Sequence, residues 1–169
     1  MHKPESPLDK LEEIGIGSGF LDSLYQMLDS LPLFRDFTPH EIEILIEYMR
    51  AYHANAETAL IREGESDSYL IVLVSGKARI LKDDGHGILK QIATVRSGCM
   101  LGEISTIDQH PHSATVITCE PCQLVTLTRY NLDKISHTYP ALGVKLLWKL
   151  AFQLSSRLRQ ASGQLVSHL

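Results

Sequence analysis

The residues best suited to chemistry lie in one stretch. Gly98-Cys99-Met100-Leu101-Gly102-Glu103-Ile104-Ser105-Thr106-Ile107 is followed closely by His110-Pro111-His112-Ser113-Ala114-Thr115-Val116. A glycine ends a β-prone run, a short helix opens on an acid, and a polar loop leads back into a second β-prone run. The first amides of a helix are unpaired donors at the positive end of its dipole. Such a terminus holds a phosphate without needing a cationic side chain. Gly102 lets the backbone come close to a ligand. Glu103 stands where a carboxylate accepts a hydrogen bond from a sugar hydroxyl, as an acid does in dinucleotide-binding folds. The plainer reading of Glu103 is a first-turn acid that favours its own helix.

Other chemistries find less support. Asp108, His110 and His112 are three candidate metal ligands close together, but no distant fourth ligand stands out. Cys119-Glu120-Pro121-Cys122 has C-x-x-C spacing without the second pair a zinc ribbon needs. It also lies between strand-like runs, not at the start of a helix. With Cys99 the count is three, which argues for reduced structural thiols and against a disulfide framework. No nucleophile–base pair or phosphate-binding P-loop is evident, so the reading is of a protein that is not an enzyme and needs no cofactor.

The elements that must position this stretch follow from periodicity. Residues 1–19 end in Gly15-Ile16-Gly17-Ser18-Gly19 and read as a flexible tail, with a short helical turn between Leu8 and Ile14. Apolar residues at 20, 21, 24, 27, 28 and 31 line one face of a helix. Thr38-Pro39-His40-Glu41 supplies an N-cap, a first-turn proline and a capping-box acid for a second helix running to about Met49. Six short β-prone runs follow, at 58–63, 69–74, 77–82, 89–95, 113–118 and 123–128, punctuated by glycines. Tyr69 to Val74 is apolar throughout and should lie centrally. Residues 131–137 read as a short helix, and Pro140 opens a longer one reaching about Ala161. The pattern predicts a mainly β protein with flanking helices. The strands suggest an antiparallel roll or sandwich over about residues 50–128, with N-terminal helices and a C-terminal helix pair over about 129–165.

Composition sets the outer limits. The chain has 169 residues, 44% hydrophobic and 21% charged, enough for one ordinary globular domain, here residues 20–169. A formal net charge of -4 gives no reason to expect nucleic-acid binding. No apolar run approaches the ~20 residues of a membrane span. The first nine residues have no signal-peptide run, so a cytoplasmic location is expected.

Five segments then resemble, in order and spacing, the cyclic-nucleotide-binding domain family, of the catabolite activator protein and cAMP-dependent kinase regulatory-subunit type. They are Leu31-Pro32-Leu33-Phe34, Ile61-Arg62-Glu63-Gly64-Glu65, Tyr69-Leu70-Ile71-Val72-Leu73-Val74-Ser75-Gly76, the 98–116 stretch, and Tyr139-Pro140 with Leu154-Ser155-Ser156-Arg157-Leu158. The resemblance covers about residues 31–160. It implies a jelly-roll-like β-roll (a double-stranded β-helix) and a regulatory sensor that binds cAMP or cGMP in a phosphate-binding cassette and repositions its last helix over the ligand. In this chain that cassette is the 98–116 stretch. Glu103 would bind the ribose 2′-hydroxyl. The backbone of Gly102, Glu103 and Ile104 would face the ribose and phosphate, with Ser105 and Ala114 in the same cassette. Ser113 would touch the phosphate or the base. Arg157 would reach over the base or remain a solvated helix charge.

One position departs from the family. His112 stands where the family's phosphate-pairing arginine is found. A histidine's charge depends on pH and it lacks the guanidinium fork. Losing a charge-assisted contact costs roughly 1.5–3 kcal/mol, about ten- to a hundredfold in affinity. A phosphate-protonated His112 would make affinity fall as pH rises above the histidine pKa. Gln109 replaces a frequent glycine, and Ala56 a turn glycine. Leu147, Leu150, Leu154, Leu158 and Ala161 form a stripe on the last helix, part for the roll and part for a homodimer partner. Eleven residues follow Leu158, too few for a helix-turn-helix, kinase or channel, so output is expected through a separate effector or the dimer. Two other readings stay open. One is a degenerate, non-binding domain acting as a dimeric scaffold. The other is a cupin-type metal-dependent enzyme, which would need histidines inside the barrel.

Overall fold

A computed structural model describes residues 6–14 and 18–166. Nine strands form two antiparallel sheets. They are β1 (Glu12–Glu13), β2 (Arg50–Ala54), β3 (Ala59–Ile61), β4 (Tyr69–Ser75), β5 (Lys77–Asp83), β6 (Leu89–Arg96), β7 (Met100–Leu101), β8 (Thr115–Thr118) and β9 (Cys122–Thr128). One sheet has the order β1-β2-β9-β4-β7 and the other β3-β8-β5-β6. The helices are α1 (Ser18–Asp29), α2 (Pro39–Tyr48), α3 (Glu103–Asp108), α4 (Arg129–Thr138) and α5 (Pro140–Val166). This is the β-roll with flanking helices that the periodicity predicts.

Alternation along β4 explains the layering. Tyr69 and Ile71 face the core between the sheets, with Leu60, Leu101, Val116 and Leu124. Leu70 and Val72 face outward, under Leu45 of α2 and Leu146 and Leu150 of α5. With both faces covered, residues 69–73 are all buried, which is why this strand reads as an unbroken apolar run. Helix α2 starts as its sequence dictates. Thr38 Oγ1 accepts from the Glu41 amide at 3.2 Å and Glu41 Oε2 accepts from the Thr38 amide at 2.7 Å. Lys145 of α5 donates to the same carboxylate at 2.6 Å, fastening the last helix to the second.

The N-terminal segment differs from the flexible tail expected over residues 1–19. Pro7–Lys10 form a 3-10 turn, and β1 pairs with β2 in the register Glu12↔His53 and Glu13↔Tyr52. Arg50 and Glu13 form an ion pair at 2.6 Å. The strand consists of two exposed acids, so its pairing rests on main-chain hydrogen bonds, which leave no mark on side-chain periodicity. The Gly15-Ile16-Gly17 part of that expectation lies outside the described residues.

Strand β7 was not expected either. It is two residues long, too short for a period to show. The three cysteines are free: Cys122 is buried at the start of β9, Cys119 is exposed in the turn before it, and Cys99 is half-buried. Burial pushes the Cys122 thiol up from its ordinary pKa. No helix of the described residues is long and apolar enough to cross a membrane.

Candidate functional site

The site is built where β7 gives way to α3. Strand β7 pairs with β4 through Ile71↔Leu101 and Val72↔Met100. The chain then turns at Gly102 with φ +76°, a left-handed conformation that favours glycine. A Cβ placed there would stand 2.4 Å from the Tyr69 carbonyl oxygen, so the position excludes a side chain on two counts. The turn sends the Glu103 side chain inward, leaving that residue 1% exposed. At the far end of α3, Gln109 has φ +60°, a conformation that costs an L-residue about 1 kcal/mol or more. The turn glycine missing at Ala56 is mirrored in the next residue, Glu57, at φ +58°.

The returning loop is clamped by backbone. The His112 amide donates to the Glu65 carbonyl, and the Gly64 amide to the His112 carbonyl, both at 2.9 Å. The imidazole is only 5% exposed. Its Nδ1 lies 2.9 Å from Ser105 Oγ, and that hydroxyl also reaches the Gly102 carbonyl at 3.2 Å. Nε2 is buried without a hydrogen-bond partner. Burial lowers the His112 pKa below its ordinary value, while Asp67, by charge and backbone, and Glu65 pull weakly the other way. The imidazolium that a phosphate would require is therefore disfavoured near neutral pH.

Glu103 has a partner that sequence reading missed. Arg157 of α5, 54 residues away, donates through Nη1 to Glu103 Oε1. Its Nη2 donates to the Met100 carbonyl at 2.5 Å and lies 3.1 Å from Cys99 Sγ. Gln153, one helical turn earlier, donates to the same carbonyl at 2.7 Å. A buried carboxylate without a cation would be costly, so the pair explains how Glu103 stays inside. Among the described residues no donor is bonded to its other oxygen, Oε2.

These groups line a cleft of about 420 Å³ between the roll and α5. Gly102, Glu103, Ile104, His112, Ser113, Ala114 and Arg157 all face it, and Ser105 sits behind, bonded to His112. The fold thus brings together every residue the sequence singled out. The opposite wall, Ile92 to Val95 of β6, was not anticipated. Ile92 is the extra residue of a bulge, since Ile80 pairs with Ala93 and Leu81 with Gln91, and it is exposed at the cleft. A larger open groove of about 970 Å³ is lined by Tyr48, Tyr52 and Asn131 among others. Its arginines are committed, Arg50 to Glu13 and Arg129 to Asp133, so the smaller cleft with its buried acid is the better candidate. Among the described residues no group of three or more His, Cys, Asp or Glu is placed to hold a metal.

Comparison with known proteins points to one place. The family model described as cyclic nucleotide-binding domain matches residues 52–139, just over half of the chain. The chain is 25% identical over 134 residues to the cyclic AMP receptor protein of Thermus thermophilus, covering 79% of this chain and 60% of that one. It is 27% identical over 139 residues to the cAMP-dependent protein kinase regulatory subunit of Aspergillus fumigatus, covering 78% of this chain and 33% of that protein. The chain therefore spans about 60% of the length of the first relative and about a third of the second. Among solved structures, a cyclic nucleotide-binding domain from Methylobacillus flagellatus superposes with a TM-score of 0.83 at 27% identity. That match covers 99% of this chain and 97% of the other.

Proposed function

Because the chain belongs to the cyclic nucleotide-binding domain family, we propose that its cleft binds cAMP or cGMP and that binding repositions α5. The observation that carries this reading is Glu103, a carboxylate 1% exposed on the lining of a cleft of about 420 Å³. A ribose 2′-hydroxyl donating there would reproduce the sugar contact that the resemblance assigns. The two relatives' names, a cyclic AMP receptor and a cAMP-dependent kinase regulatory subunit, support the same ligand class.

Helix movement follows from the same carboxylate. Arg157 and Gln153 tie the last part of α5 to the cleft rim. A sugar hydroxyl on the other oxygen of that carboxylate weakens the charge-assisted bond from Arg157 and so biases the position of the helix. In isothermal titration calorimetry, cAMP or cGMP is expected to bind saturably with Kd below about 1 mM. No heat and no saturation for either would reject the sensor reading. It would favour the second one, a non-binding dimeric scaffold, for which His112 in the arginine position is the specific observation.

A second copy of the chain is the proposed partner of α5. Val144, Trp148 and Phe152 lie four residues apart on one helical face and are 53%, 72% and 70% exposed. Only part of the expected leucine stripe packs inward: Leu150 is 1% exposed, Leu147 45% and Leu158 69%. A face of this kind is self-complementary across a two-fold axis, which would allow ligand-driven helix movement to reach a separate effector through the dimer. Sedimentation velocity is expected to show a dimer at about 50 μM, and the Trp148→Glu, Phe152→Glu double variant a monomer that still binds ligand. A wild-type monomer at that concentration rules out the dimer.

A further inference from the structure

We infer that this cleft recognises the sugar and base of its ligand but not the charge of a phosphate, so that it takes uncharged purine ribonucleosides nearly as well as cyclic nucleotides. The inference rests on the proposed sugar contact at Glu103 and narrows the ligand class.

An anionic phosphate in a half-buried cleft gains affinity from a fixed positive charge nearby. Every cation within reach is already committed. Among the described residues Arg157 is the only lysine or arginine lining the cleft, and its guanidinium is shared between Glu103 and the Met100 carbonyl. Lys82 approaches the loop, but its ammonium is held by Glu63 and by the Ser113 carbonyl at 2.6 Å. His112 turns Nδ1 to Ser105 and is 5% exposed, and that burial disfavours its charged form. Helix α3, at six residues, has little dipole to add. The remaining walls are largely apolar, with Ile61, Ile80, Ile92 and Val116 prominent. Such a surface favours a flat base over an anion. Among the described residues the one buried side-chain nitrogen or oxygen lacking a hydrogen-bond partner is His112 Nε2, which carries no fixed charge.

The test is calorimetry on the wild-type protein near pH 7.5 with adenosine, guanosine, cAMP, cGMP and 2′-deoxyadenosine. The better nucleoside is expected to bind within about threefold of its cyclic nucleotide, and the 2′-deoxy compound at least tenfold more weakly than adenosine. Raising NaCl from about 50 to 300 mM is expected to change the cyclic nucleotide Kd less than twofold, as there is no charge pair to screen. His112→Arg is expected to raise the preference for a cyclic nucleotide over its nucleoside by about tenfold or more. A cyclic nucleotide at least thirtyfold tighter than its nucleoside, or a steep salt dependence, overturns the inference and leaves the cyclic-nucleotide function standing. Failure of all five ligands to bind overturns both. The wild-type comparison is decisive even if the arginine variant does not fold.

Discussion

Glu103→Ala is expected to weaken ribonucleotide binding by at least about a hundredfold, the largest functional effect of any single change in the cleft. The carboxylate is 1% exposed on the lining of the cleft, and among the described residues Arg157 is bonded to only one of its oxygens. Removing it deletes the acceptor for the 2′-hydroxyl and frees Arg157, whose charge then relaxes toward solvent, since its side chain is 31% exposed. Folding stability should change much less than affinity, because that guanidinium keeps its bond to the Met100 carbonyl. This separates ligand recognition from the plainer reading of a first-turn acid. An acid that serves only its own helix predicts a modest loss of melting temperature and unchanged binding. Calorimetry and thermal melts on the same preparation read both quantities. Wild-type affinity in the alanine variant would end the case for a sugar contact.

Gly102→Ala is expected to produce the largest loss of stability from one added methyl group, about 3–4 kcal/mol. Two costs combine. The φ of +76° disfavours an L-residue by about 1 kcal/mol or more. The new Cβ would also meet the Tyr69 carbonyl oxygen at 2.4 Å. That carbonyl cannot easily retreat, because Tyr69 opens β4, which is paired with β9 on one side and β7 on the other. Gly98 offers an internal control. Its φ of +85° carries the same backbone penalty, but nothing lies within 4 Å of an added Cβ. Gly98→Ala should therefore cost only about 1 kcal/mol. For a domain of this size the two variants should melt roughly 10 °C and 3 °C below wild type. Equal melting points would show that the contact with Tyr69 contributes nothing.

The elements that bury a regular face were legible in the sequence. Strands β3, β4, β5, β6, β8 and β9 and helices α2, α4 and α5 lie within a few residues of where periodicity, capping and glycine punctuation put them. The elements that were missed have no such face. Strand β1 is a pair of exposed acids, β7 is two residues, and β2 buries two small alanines, Ala51 and Ala54. A hydrogen-bonded ladder without a repeating apolar side chain gives side-chain patterns nothing to register.

The candidate site divides in the same way. By itself the sequence determined which groups are available: Glu103 after a glycine turn, a histidine where the resemblance calls for arginine, and an arginine on the last helix. Types and spacing along 98–116 are local properties, and one short turn with its loop carries them. Only the tertiary structure decided their pairing. It set Arg157 on Glu103 across 54 residues, turned His112 inward to Ser105, and closed the cleft with the bulged wall at Ile92. Which charge meets which, and which nitrogen is buried without a hydrogen-bond partner, depends on how the elements pack around the turn. That packing is a property of the whole core and of no single stretch of chain.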